Sequence, residues 1–482
     1  MTLVDSPEVR SGVRVPPTIR LEDVLAATGG RLQGPAPTAT TSITGASVDS
    51  RRTTPGSIFV ALHGERVDGH AFVADALRGG AAAALVERSV ELPEEVARAP
   101  QVIVPDALRA LQDLAAWWRS RHAVRVVGIT GSTGKTIAKE ITADVLSRGL
   151  RTLRNEGNLN SETGLPMTLL RLETAHEAAV LEMSMYTVGE IARLAEIARP
   201  EVGVVLAVHP THLERAGSIE RIARAKAELP AALPPEGLAV LNADDPRVAA
   251  MRDVTVAEVR TFGRGPMADV GATDVVSHGL AGTEFTVRAP WGTRRLRSGT
   301  PGRHLVPHAL AALAVGERLG VAIDDAAEAL AAGSHADHRM EVVESASGAT
   351  LVDDTYNASP VSVAAALEFL AETPVAADRR RVAVLGDMLE LGPDEEELHR
   401  QIGARAATSA DAIVTVGRRG TWIAEGATAA GAERVTAVGD PDEAVAALER
   451  DVAPGPGDIV LLKASRGIGL DRAVDLLRGS AR

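Results

Sequence analysis

The sequence predicts an α/β protein of three domains. Short apolar runs alternate with helical stretches along most of the chain, which is the pattern of parallel sheets covered by helices. The chain has 482 residues, and at roughly 150 residues per domain this length also favours about three. A glycine-rich loop between an apolar run and a helix indicates that the middle domain binds a nucleotide.

The first domain is predicted over residues 19–112, after a loose arm over residues 1–18. LEDVLAAT predicts a short helix, SIFVAL predicts a strand, and FVADALRGGAAAALVE predicts a helix followed by a strand. A further helix is predicted near 108–121. Together these segments indicate a small, mixed α/β domain.

The central domain is predicted over residues 113–337. Four apolar runs, RVVGIT, AAVLEMS, VGVVLAV and GLAVLN, have the composition of strands buried on both faces of a parallel sheet. Residues of about 252–300 predict antiparallel strands instead, with TEFTVRAP and GTRRLRS as candidates. A helix near 308–319 closes this domain.

The C-terminal domain is predicted over residues 338–482, where the alternation of strands and helices begins again. Its predicted strands are ATLVDD, RVAVLGDM, AIVTVG, RVTAVG and DIVLLKAS. This pattern predicts a second, Rossmann-like α/β sheet with its own helices.

Composition excludes several classes of function. The formal net charge of −13 and an aromatic content of 2% argue against a nucleic-acid-binding surface. The chain has no cysteine, which excludes disulfides, thiol catalysis and cysteine-ligated metals. Neither a signal peptide nor a membrane span of roughly 20 apolar residues is present in the sequence. We therefore expect a cytoplasmic globular protein that binds anionic small molecules at local sites.

The loop GSTGKT, at 131–136, follows the run RVVGIT directly and precedes a helix. Glycines in such a loop let backbone N–H groups converge on phosphate oxygens at the N-terminus of the helix. Lys135 is placed to reach the terminal phosphates, and the hydroxyl of Thr136 is placed to bind Mg²⁺. The longer form of the motif requires glycine where Ile129 stands, but the T-G-x-x-G-K-T form is complete. ATP or GTP binding follows, and the N-K-x-D motif of GTPases is absent from the sequence.

Three further polar residues lie near predicted strand ends in this domain. Glu182 ends the run AAVLEMS, His212 follows the next run with His209 just before it, and Lys226 lies fourteen residues after His212 on a predicted helix. Parallel sheets place ligands at the carboxyl ends of their strands, and such side chains suit a Mg²⁺-nucleotide site. Each residue alone fits a purely structural role, whereas the set beside a phosphate loop predicts a metal-dependent site.

Lysine is rare in this chain. Only four of the 51 Lys and Arg residues are lysines, at positions 135, 139, 226 and 463, and arginine does the ordinary surface work elsewhere. Unlike arginine, lysine can lose its proton and act as a nucleophile. Because Lys135, Lys226 and Lys463 fall in motifs that suggest sites, we expect chemistry that arginine cannot perform.

These motifs resemble the Mur ligases, a family that forms amide bonds in bacterial cell-wall precursors. The central resemblance is carried by GITGSTGKT, RNEGNLNSETGLPMTLL, LEMSMYTVGEIARLAEIARP, HLERAGSIERIARAKAEL and LNADD. SVDSRRTTPGSIFVALHGERVDGH resembles the family's UDP-binding domain, and HRMEVV, VDDTYNASPVSVAAAL, LGDMLELG and DIVLLKASRG resemble its C-terminal domain. The resemblance spans residues of about 19–475. It implies a UDP-binding domain, a central phosphate-loop ATPase domain and a C-terminal ligase domain.

The resemblance also implies roles for individual residues. Those implied to bind ATP are Gly131, Ser132, Thr133, Gly134, Lys135, Thr136, Asn242, His308, Arg339 and Asp354. Those implied to bind the other substrates are Ser50, Arg51, Asn158, Asn160, Tyr356, Asn357, Ser359, Pro360, Lys463, Ser465 and Arg466. The implied metal site consists of Thr136, Glu182, His212 and Lys226. The implied catalytic residues are Lys135, Glu182, His212, Lys226 and Arg339.

The reaction implied by the resemblance is the ATP-dependent addition of D-alanyl-D-alanine to UDP-N-acetylmuramoyl-tripeptide in peptidoglycan synthesis. DDTYNASP, GDMLELG and GNLNSETG point to this step within the family. A carboxylate of the precursor attacks the γ-phosphate of ATP with the help of Mg²⁺, and the amine then attacks the acyl phosphate. The family also implies that CO₂ adds to the neutral amine of Lys226 and gives a carbamate that ligates metal. We expect a monomer with no nucleic-acid partner and no membrane partner.

Some positions depart from the family pattern and leave alternatives open. The departures are Thr133, Ser161, Ala207, Leu305, His308 and Ala464, and MSMY beside Glu182 is also unusual. A related ligase with another acceptor, such as diaminopimelate or lysine, is one alternative, although the D-N-P-R motif of that step is absent. An inactive or regulatory nucleotide-binding module is another, and a phosphotransferase or a folate-type polyglutamyl ligase is a third. The retained Glu182, His212 and Lys226 argue against the module, and the N-terminal domain with its DSR motif argues against the other two.

Overall fold

The structure is a computed structural model that describes residues 18–34, 42–64, 67–210 and 217–479. The chain divides into two compact units, one of residues 1–123 and 162–176 and one of residues 124–161 and 177–482. Nearly all of the predicted arm, residues 1–18, lies outside the described residues. The domain boundaries after residues 112 and 337 stay predictions. No helix in the described part of the chain is both long and apolar enough to cross a membrane.

The first unit is a small mixed α/β structure, as predicted. Its strands are β1 (Ile19–Arg20), β2 (Arg31–Gln33), β3 (Ser42–Ile43), β4 (Ala46–Ser47), β5 (Ile58–Val60), β6 (Ala83–Val86) and β7 (Gln101–Ile103). Its α-helices are Leu21–Thr28, Val73–Arg78, Ala107–Ser120 and Gly164–Leu169. Strands β4, β5, β6 and β7 pair in parallel, and β2 adds to β7 in the antiparallel direction.

The second unit contains two sheets, of which the first has nine strands. These are β8 (Arg125–Thr130), β9 (Thr152–Arg154), β10 (Ala178–Glu182), β11 (Val202–Val205), β12 (Leu238–Asn242), β13 (Glu258–Gly263), β14 (Val270–Ser277), β15 (Thr283–Ala289) and β16 (Gly292–Ser298). The α-helices of this part are Lys135–Leu146, Glu190–Ala198, Ile219–Ala231, Pro246–Ala249, Val306–Leu319 and Ile323–Ala332. The strand order is β16-β15-β14-β13-β12-β11-β8-β10-β9, so β8 lies between β11 and β10.

The register of the three neighbouring strands determines where the site lies. Glu182 pairs with Ile129 across β10 and β8, and Val205 pairs with Thr130 across β11 and β8. The carboxyl ends of all three strands therefore meet at one edge of the sheet, where the phosphate loop begins. Close packing supports this edge, since a Cβ on Gly128 of β8 would come within 2.9 Å of Leu229 on the helix Ile219–Ala231.

The region of about 252–300 corrects one expectation. The hairpin of β15 and β16 is antiparallel, as predicted, but β13 pairs in parallel with β12 and with β14. The side chains of β13 change from exposed to buried along the strand, so its letters lack the continuous apolar run of the other parallel strands. The parallel part of the sheet therefore extends further than the sequence pattern indicates.

The second sheet of this unit has six strands and a Rossmann-like arrangement, as predicted. Its strands are β17 (Glu341–Glu344), β18 (Thr350–Asp353), β19 (Arg381–Gly386), β20 (Ala412–Val416), β21 (Val435–Val438) and β22 (Ile459–Lys463). Its α-helices are Pro360–Glu372, Glu395–Ser409, Gly420–Ala429, Pro441–Ala447 and Asp471–Leu477. Only β17, at the edge, is antiparallel, and the other strands follow the order β18-β22-β19-β20-β21 in parallel. The carboxyl ends of β18 and β22 carry the polar residues of the C-terminal motifs.

Candidate active site

The phosphate loop joins β8 to the helix Lys135–Leu146. Gly134, just before the helix, has a φ of +78°, a left-handed conformation that favours glycine. A Cβ at this position would also come within 2.0 Å of Nε2 of His308. The Nζ of Lys135 donates a hydrogen bond to the carbonyl of Gly131 at 3.0 Å, so the amine lies folded over the loop. The loop thus has the glycine, lysine and helix N-terminus that a phosphate-binding site needs.

Glu182 ends β10 beside this loop, with 2% of its surface exposed. The hydroxyl of Thr136 donates to its Oε2 at 2.8 Å, and Nδ2 of Asn160 donates to its Oε1 at 2.6 Å. The hydroxyl of Ser184 donates in turn to Oδ1 of Asn160 at 3.0 Å, which orients that amide. The orientation of the buried carboxylate is therefore fixed by two neutral hydrogen-bond donors, the Thr136 hydroxyl and the Asn160 amide. A carboxylate and a threonine hydroxyl are the hard oxygen ligands that Mg²⁺ prefers.

Lys226 lies on the helix Ile219–Ala231, which is capped by the side chain of Ser218. It is 3% exposed and shares the buried face with Ile222 and Leu229. Among the residues that the structure describes, none accepts a hydrogen bond from its amine or forms an ion pair with it. Burial lowers the pKa of Lys226 well below its ordinary value, and the nearby charge of Lys135 lowers it further. The structure therefore favours a neutral amine beside the phosphate loop.

His212 falls on residues 211–216, outside the described part of the chain. The neighbouring His209 is placed, and its backbone N–H donates to the hydroxyl of Ser132 at 2.9 Å. That hydroxyl donates to the carbonyl of His209 at 3.0 Å, so the phosphate loop is bound to the chain after β11. The role of His212 stays a prediction.

Two histidines line the cleft, and one of them, His308, lies against Gly134 of the phosphate loop. His304 lies on the 3₁₀ turn Arg303–Leu305, and His308 lies in the first turn of the helix Val306–Leu319 that follows it. Burial lowers the pKa of His308 to about 4 and that of His304 to about 3, so both rings are neutral at physiological pH. Nδ1 of His308 is buried without a hydrogen-bond partner among the described residues. Asn242, at the end of β12, lines the same cleft and donates to the carbonyl of Leu206 at 2.7 Å.

The six-stranded sheet contributes a buried ion pair. Nζ of Lys463, at the end of β22, lies 2.6 Å from Oδ2 of Asp354 and donates to the carbonyl of Asn357 at 2.9 Å. The pKa of Asp354 is raised, since burial outweighs the opposing charges of Lys463 and Arg339. Ser465, two residues further, donates through its hydroxyl to the carbonyl of Ala358 at 3.3 Å. These contacts fix the loop that follows β18.

Tyr356 on that loop is flanked by two guanidinium groups. The guanidinium carbon of Arg339 lies 4.1 Å from the ring centroid, and that of Arg466 lies 5.7 Å from it. The backbone N–H of Tyr356 donates to the carbonyl of His338 at 3.1 Å, and Nδ1 of His338 lies 2.7 Å from Oδ2 of Asp353. Arg339 is therefore oriented by stacking, and its charge remains available to an anion in the cleft.

Residues from both sheets line one cleft of about 630 Å³. The predicted site residues that line it are Gly131, Ser132, Thr133, Gly134, Lys135, Thr136, Asn158, Asn160, Glu182, Lys226, Asn242, His308, Arg339, Asp354, Tyr356, Asn357, Ser359, Lys463, Ser465 and Arg466. Pro360 is not among the lining residues; it begins the helix Pro360–Glu372, which the side chain of Ser359 caps. Besides Lys226, four lysine and arginine residues line the cleft, Lys135, Arg339, Lys463 and Arg466, against three acidic ones, Glu182, Asp354 and Glu390, which suits polyanionic ligands.

Ser50 and Arg51 lie in the first unit, on a short 3₁₀ helix. Arg51 forms a two-pronged contact with Asp49, at 2.9 Å and 2.8 Å, and this hydrogen bonding lowers the pKa of Asp49 to about 2. Their predicted contact with a uridine diphosphate group stays a prediction.

Sequence reasoning missed several lining residues. His304 stands four residues before His308, so a second histidine at this short spacing was its signal. Ser184 supports Asn160, but a lone serine in MSMY carries no pattern that identifies this role. Leu389, Glu390 and Leu391 come from the motif LGDMLELG, which the family resemblance singled out without assigning a role.

Comparisons with known proteins bear on this arrangement. The chain matches the Mur ligase family catalytic domain over residues 42–119, the Mur ligase middle domain over 129–316 and the Mur ligase glutamate ligase domain over 338–466. It is 37% identical over 465 residues to the UDP-N-acetylmuramoyl-tripeptide–D-alanyl-D-alanine ligase of Escherichia coli (strain K12), covering 95% of this chain and 97% of that one. The chain belongs to the Mur ligase family.

Other relatives of this Mur ligase agree over comparable lengths. The ligase of the same name from Mycobacterium tuberculosis (strain ATCC 25618 / H37Rv) is 40% identical, with 89% of this chain and 91% of that one covered. The structure of MurF from Acinetobacter baumannii superposes with a TM-score of 0.83 at 32% identity, covering 96% of this chain and 100% of that one. MurF of Thermotoga maritima, solved in complex with ADP, has a TM-score of 0.77 at 31% identity, covering 90% and 97%. The three-domain fold and the use of ATP by this Mur ligase are therefore those of its relatives.

Proposed function

We propose that this Mur ligase adds D-alanyl-D-alanine to UDP-N-acetylmuramoyl-tripeptide, with ATP as the energy source, in the cytoplasmic synthesis of peptidoglycan. The observation that carries the proposal is the single cleft in which the phosphate loop, Glu182 and Lys226 are joined by Arg339 and Tyr356 from the other sheet. Relatives with this activity in their names match nearly the whole chain. A monomer suffices for this site, since one chain supplies both walls of the cleft.

The phosphate loop binds the phosphates of ATP. Backbone N–H groups at the start of the helix Lys135–Leu146 face the loop, and Lys135 can leave the carbonyl of Gly131 to contact a phosphate oxygen. Arg339 adds a second positive charge from the other sheet. These cations stabilise the charge that develops on the γ-phosphoryl group when the tripeptide carboxylate attacks it. The bond from the γ-phosphorus to the bridging oxygen breaks, ADP leaves, and the acyl phosphate of the tripeptide forms.

The side chains around Glu182 fit Mg²⁺. The hydroxyl of Thr136 and the carboxylate of Glu182 already lie 2.8 Å apart, and both are hard oxygen donors beside the phosphate loop. We assign Thr136, Glu182, His212 and Lys226 to the metal site. When bound, Mg²⁺ supplies charge neutralisation for phosphoryl transfer.

Lys226 can join this site only as a carbamate, because a free amine or ammonium is a poor ligand for Mg²⁺. The lowered pKa favours the neutral amine, which is the form that adds CO₂. In this step the amine nitrogen attacks the carbon of CO₂, the new N–C bond forms, and one proton leaves to solvent. The product is a carboxylate-like group at a position with no described partner.

The second half-reaction joins the amine to the activated tripeptide. The amino group of D-alanyl-D-alanine attacks the acyl phosphate, and phosphate leaves as the amide forms. Tyr356 and Asn357 lie on the loop after β18, which Lys463 and Ser465 fix, and we assign this loop to the incoming dipeptide. We assign Asn158 and Asn160 to the muramoyl and pyrophosphate groups and Ser50 and Arg51 to the uridine diphosphate group.

The proposal is tested by phosphate release from ATP in the presence of UDP-N-acetylmuramoyl-tripeptide and Mg²⁺. We expect D-alanyl-D-alanine to stimulate release, and single amino acids such as diaminopimelate, lysine and D-alanine to leave it at background. Stimulation by a single amino acid but not by the dipeptide would establish a related ligase with another acceptor. If no acceptor stimulates release, the ligase assignment is wrong.

A further inference from the structure

Lys139 is the one lysine that the proposed reaction leaves without a role. It lies one turn after Lys135 on the helix Lys135–Leu146 and is 0% exposed. Its Nζ donates to the backbone carbonyl of Asn155 at 2.6 Å and lies 2.7 Å from Oε1 of Glu140. The other oxygen of Glu140 lies 2.7 Å from Arg154, so Glu140 has a second cationic partner. Balancing Glu140 is therefore not sufficient reason to bury this lysine.

The residue that Lys139 holds is itself fully buried and contacts the metal-site strand. Oδ1 of Asn155 accepts from the backbone N–H of Glu182 at 2.9 Å, and Nδ2 donates to the carbonyl of Glu182 at 3.3 Å. The same Nδ2 donates to the carbonyl of Leu159 at 2.8 Å. The side chain of Asn155 therefore binds the backbone N–H and the carbonyl of Glu182, and also the carbonyl of Leu159 near the other end of the loop 155–160.

The far end of that loop reaches the carboxylate. Nδ2 of Asn160 donates to Oε1 of Glu182 at 2.6 Å, and the backbone N–H of Ser184 donates to the carbonyl of Asn160 at 3.0 Å. The loop is thus bound to the end of β10 at its first and last residues. A displacement of Asn155 would move both the backbone of Glu182 and the amide that orients its carboxylate.

We infer that Lys139 is a positioning residue that fixes Glu182 through Asn155, and so sets the geometry of the metal site. The inference rests on the proposed function in one respect, the assignment of Glu182 to Mg²⁺. A charged donor suits this place, because its bond to a neutral carbonyl in a water-free interior is stronger than one from a neutral donor. A residue of this kind acts on metal binding without touching the metal.

The test uses two variants that break the connection at different points. Lys139→Met keeps the length of the side chain and removes the hydrogen-bond donor. Asn155→Ala removes the two hydrogen bonds between the Asn155 side chain and the backbone of Glu182. Val145→Ala is the matched control, since Val145 is 0% exposed on the same helix and lies in the apolar core. Mn²⁺ binding is followed by electron paramagnetic resonance with a non-hydrolysable ATP analogue, so no turnover is needed.

We expect Mn²⁺ affinity to fall about 10-fold in Lys139→Met and in Asn155→Ala. The double variant should lose no more Mn²⁺ affinity than the weaker-binding single variant, because both substitutions interrupt the same connection from Lys139 through Asn155 to Glu182. Val145→Ala should lower the melting temperature and leave the affinity within about twofold. Affinity in Lys139→Met within about twofold of the unmodified protein would overturn the inference and leave Lys139 a structural residue.

A second measurement separates this inference from the proposed function. Hydrogen exchange of the peptide that contains Glu182 and Ser184 needs no metal, nucleotide or activity. Lys139→Met should speed exchange of these two amides, whereas Val145→Ala should not do so selectively. Unchanged exchange in Lys139→Met overturns the inference whatever the ligase assay gives, and faster exchange without ligase activity would reject the proposed function alone.

Discussion

Lys226 and Lys463 are both buried in the same cleft, but their surroundings are opposite. Lys463, 2% exposed, lies 2.6 Å from Asp354 and donates to the carbonyl of Asn357. Lys226, 3% exposed, has no hydrogen-bond or ion-pair partner in the described part of the chain. The first lysine is held by an anionic partner, whereas the second has a lowered pKa and no described partner, which favours the neutral amine.

The difference shows how one residue type serves two purposes in a chain that otherwise uses arginine. A buried cation needs an anionic partner, because taking a charge out of water costs several kcal/mol or more. At Lys226 no such partner is described, and burial together with the charge of Lys135 favours loss of the proton. Burial alone therefore does not separate the two lysines; the absence of a counter-ion for Lys226 among the described residues does.

The largest effect is expected from Lys226→Arg. The guanidinium cannot lose its proton or add CO₂, so we expect turnover to fall by about 10³-fold or more. Lys226→Ala should be equally inactive but should recover partly with added short carboxylates, which can occupy the position of the carbamate. The measurement is phosphate release at saturating substrates, with Val145→Ala as the control for a changed buried side chain outside the cleft. Full activity of Lys226→Arg would remove the distinction between the two lysines.

The next largest effect is on stability, at Lys463. Lys463→Met leaves Asp354 buried without its main partner, which costs about 3–5 kcal/mol of unfolding free energy. Adding Asp354→Asn removes the second charge and should recover most of that loss. Both are measured by urea unfolding. If Lys463→Met alone leaves the free energy of unfolding unchanged, the ion pair with Asp354 does not distinguish Lys463 from Lys226.

The same substitution at the other lysine should have the opposite sign. Lys226→Met replaces an unpartnered buried amine with an apolar side chain of similar length, and we expect a gain of about 1–3 kcal/mol. The measurement is urea unfolding at pH 7 in buffer freed of CO₂ and divalent metal, so that no carbamate forms. A loss of stability would indicate that Lys226 has a partner that holds it as a cation.

The smallest expected effect is the pH dependence of the stability that Lys226→Met gains. The pKa of Lys226 is lower in the folded than in the unfolded chain, where lysine titrates near 10.4, so the unfolded chain binds the proton more tightly. The penalty from Lys226 is therefore present at neutral pH and fades as pH rises towards about 10. The stability difference between Lys226→Met and the unmodified protein should shrink over this range. A difference that is constant with pH would contradict the lowered pKa.

Much of the fold could be predicted from the sequence because the buried parallel strands of both sheets read as continuous apolar runs. β13 could not, since its side chains change from exposed to buried along the strand and give no continuous apolar run. The phosphate loop and Glu182 were also predictable as neighbours. The carboxyl ends of all parallel strands lie at the same edge of a sheet, whatever the order of the strands. The hydrogen-bond and ion-pair partners of the lysines were not predictable. Lys463 meets Asp354 across more than a hundred residues of chain, and Lys139 meets a backbone carbonyl that no letter of the sequence marks.

Detection of a carbamate by ¹³C nuclear magnetic resonance with ¹³C-labelled bicarbonate tests most directly whether Lys226 reacts with CO₂. We predict a protein-bound carbamate resonance in the unmodified protein, and the same resonance in the paired variant Lys463→Met with Asp354→Asn. The resonance should be absent from Lys226→Arg. Its absence from the unmodified protein, or its persistence in Lys226→Arg, would contradict the claim that Lys226 is the reactive lysine of the cleft.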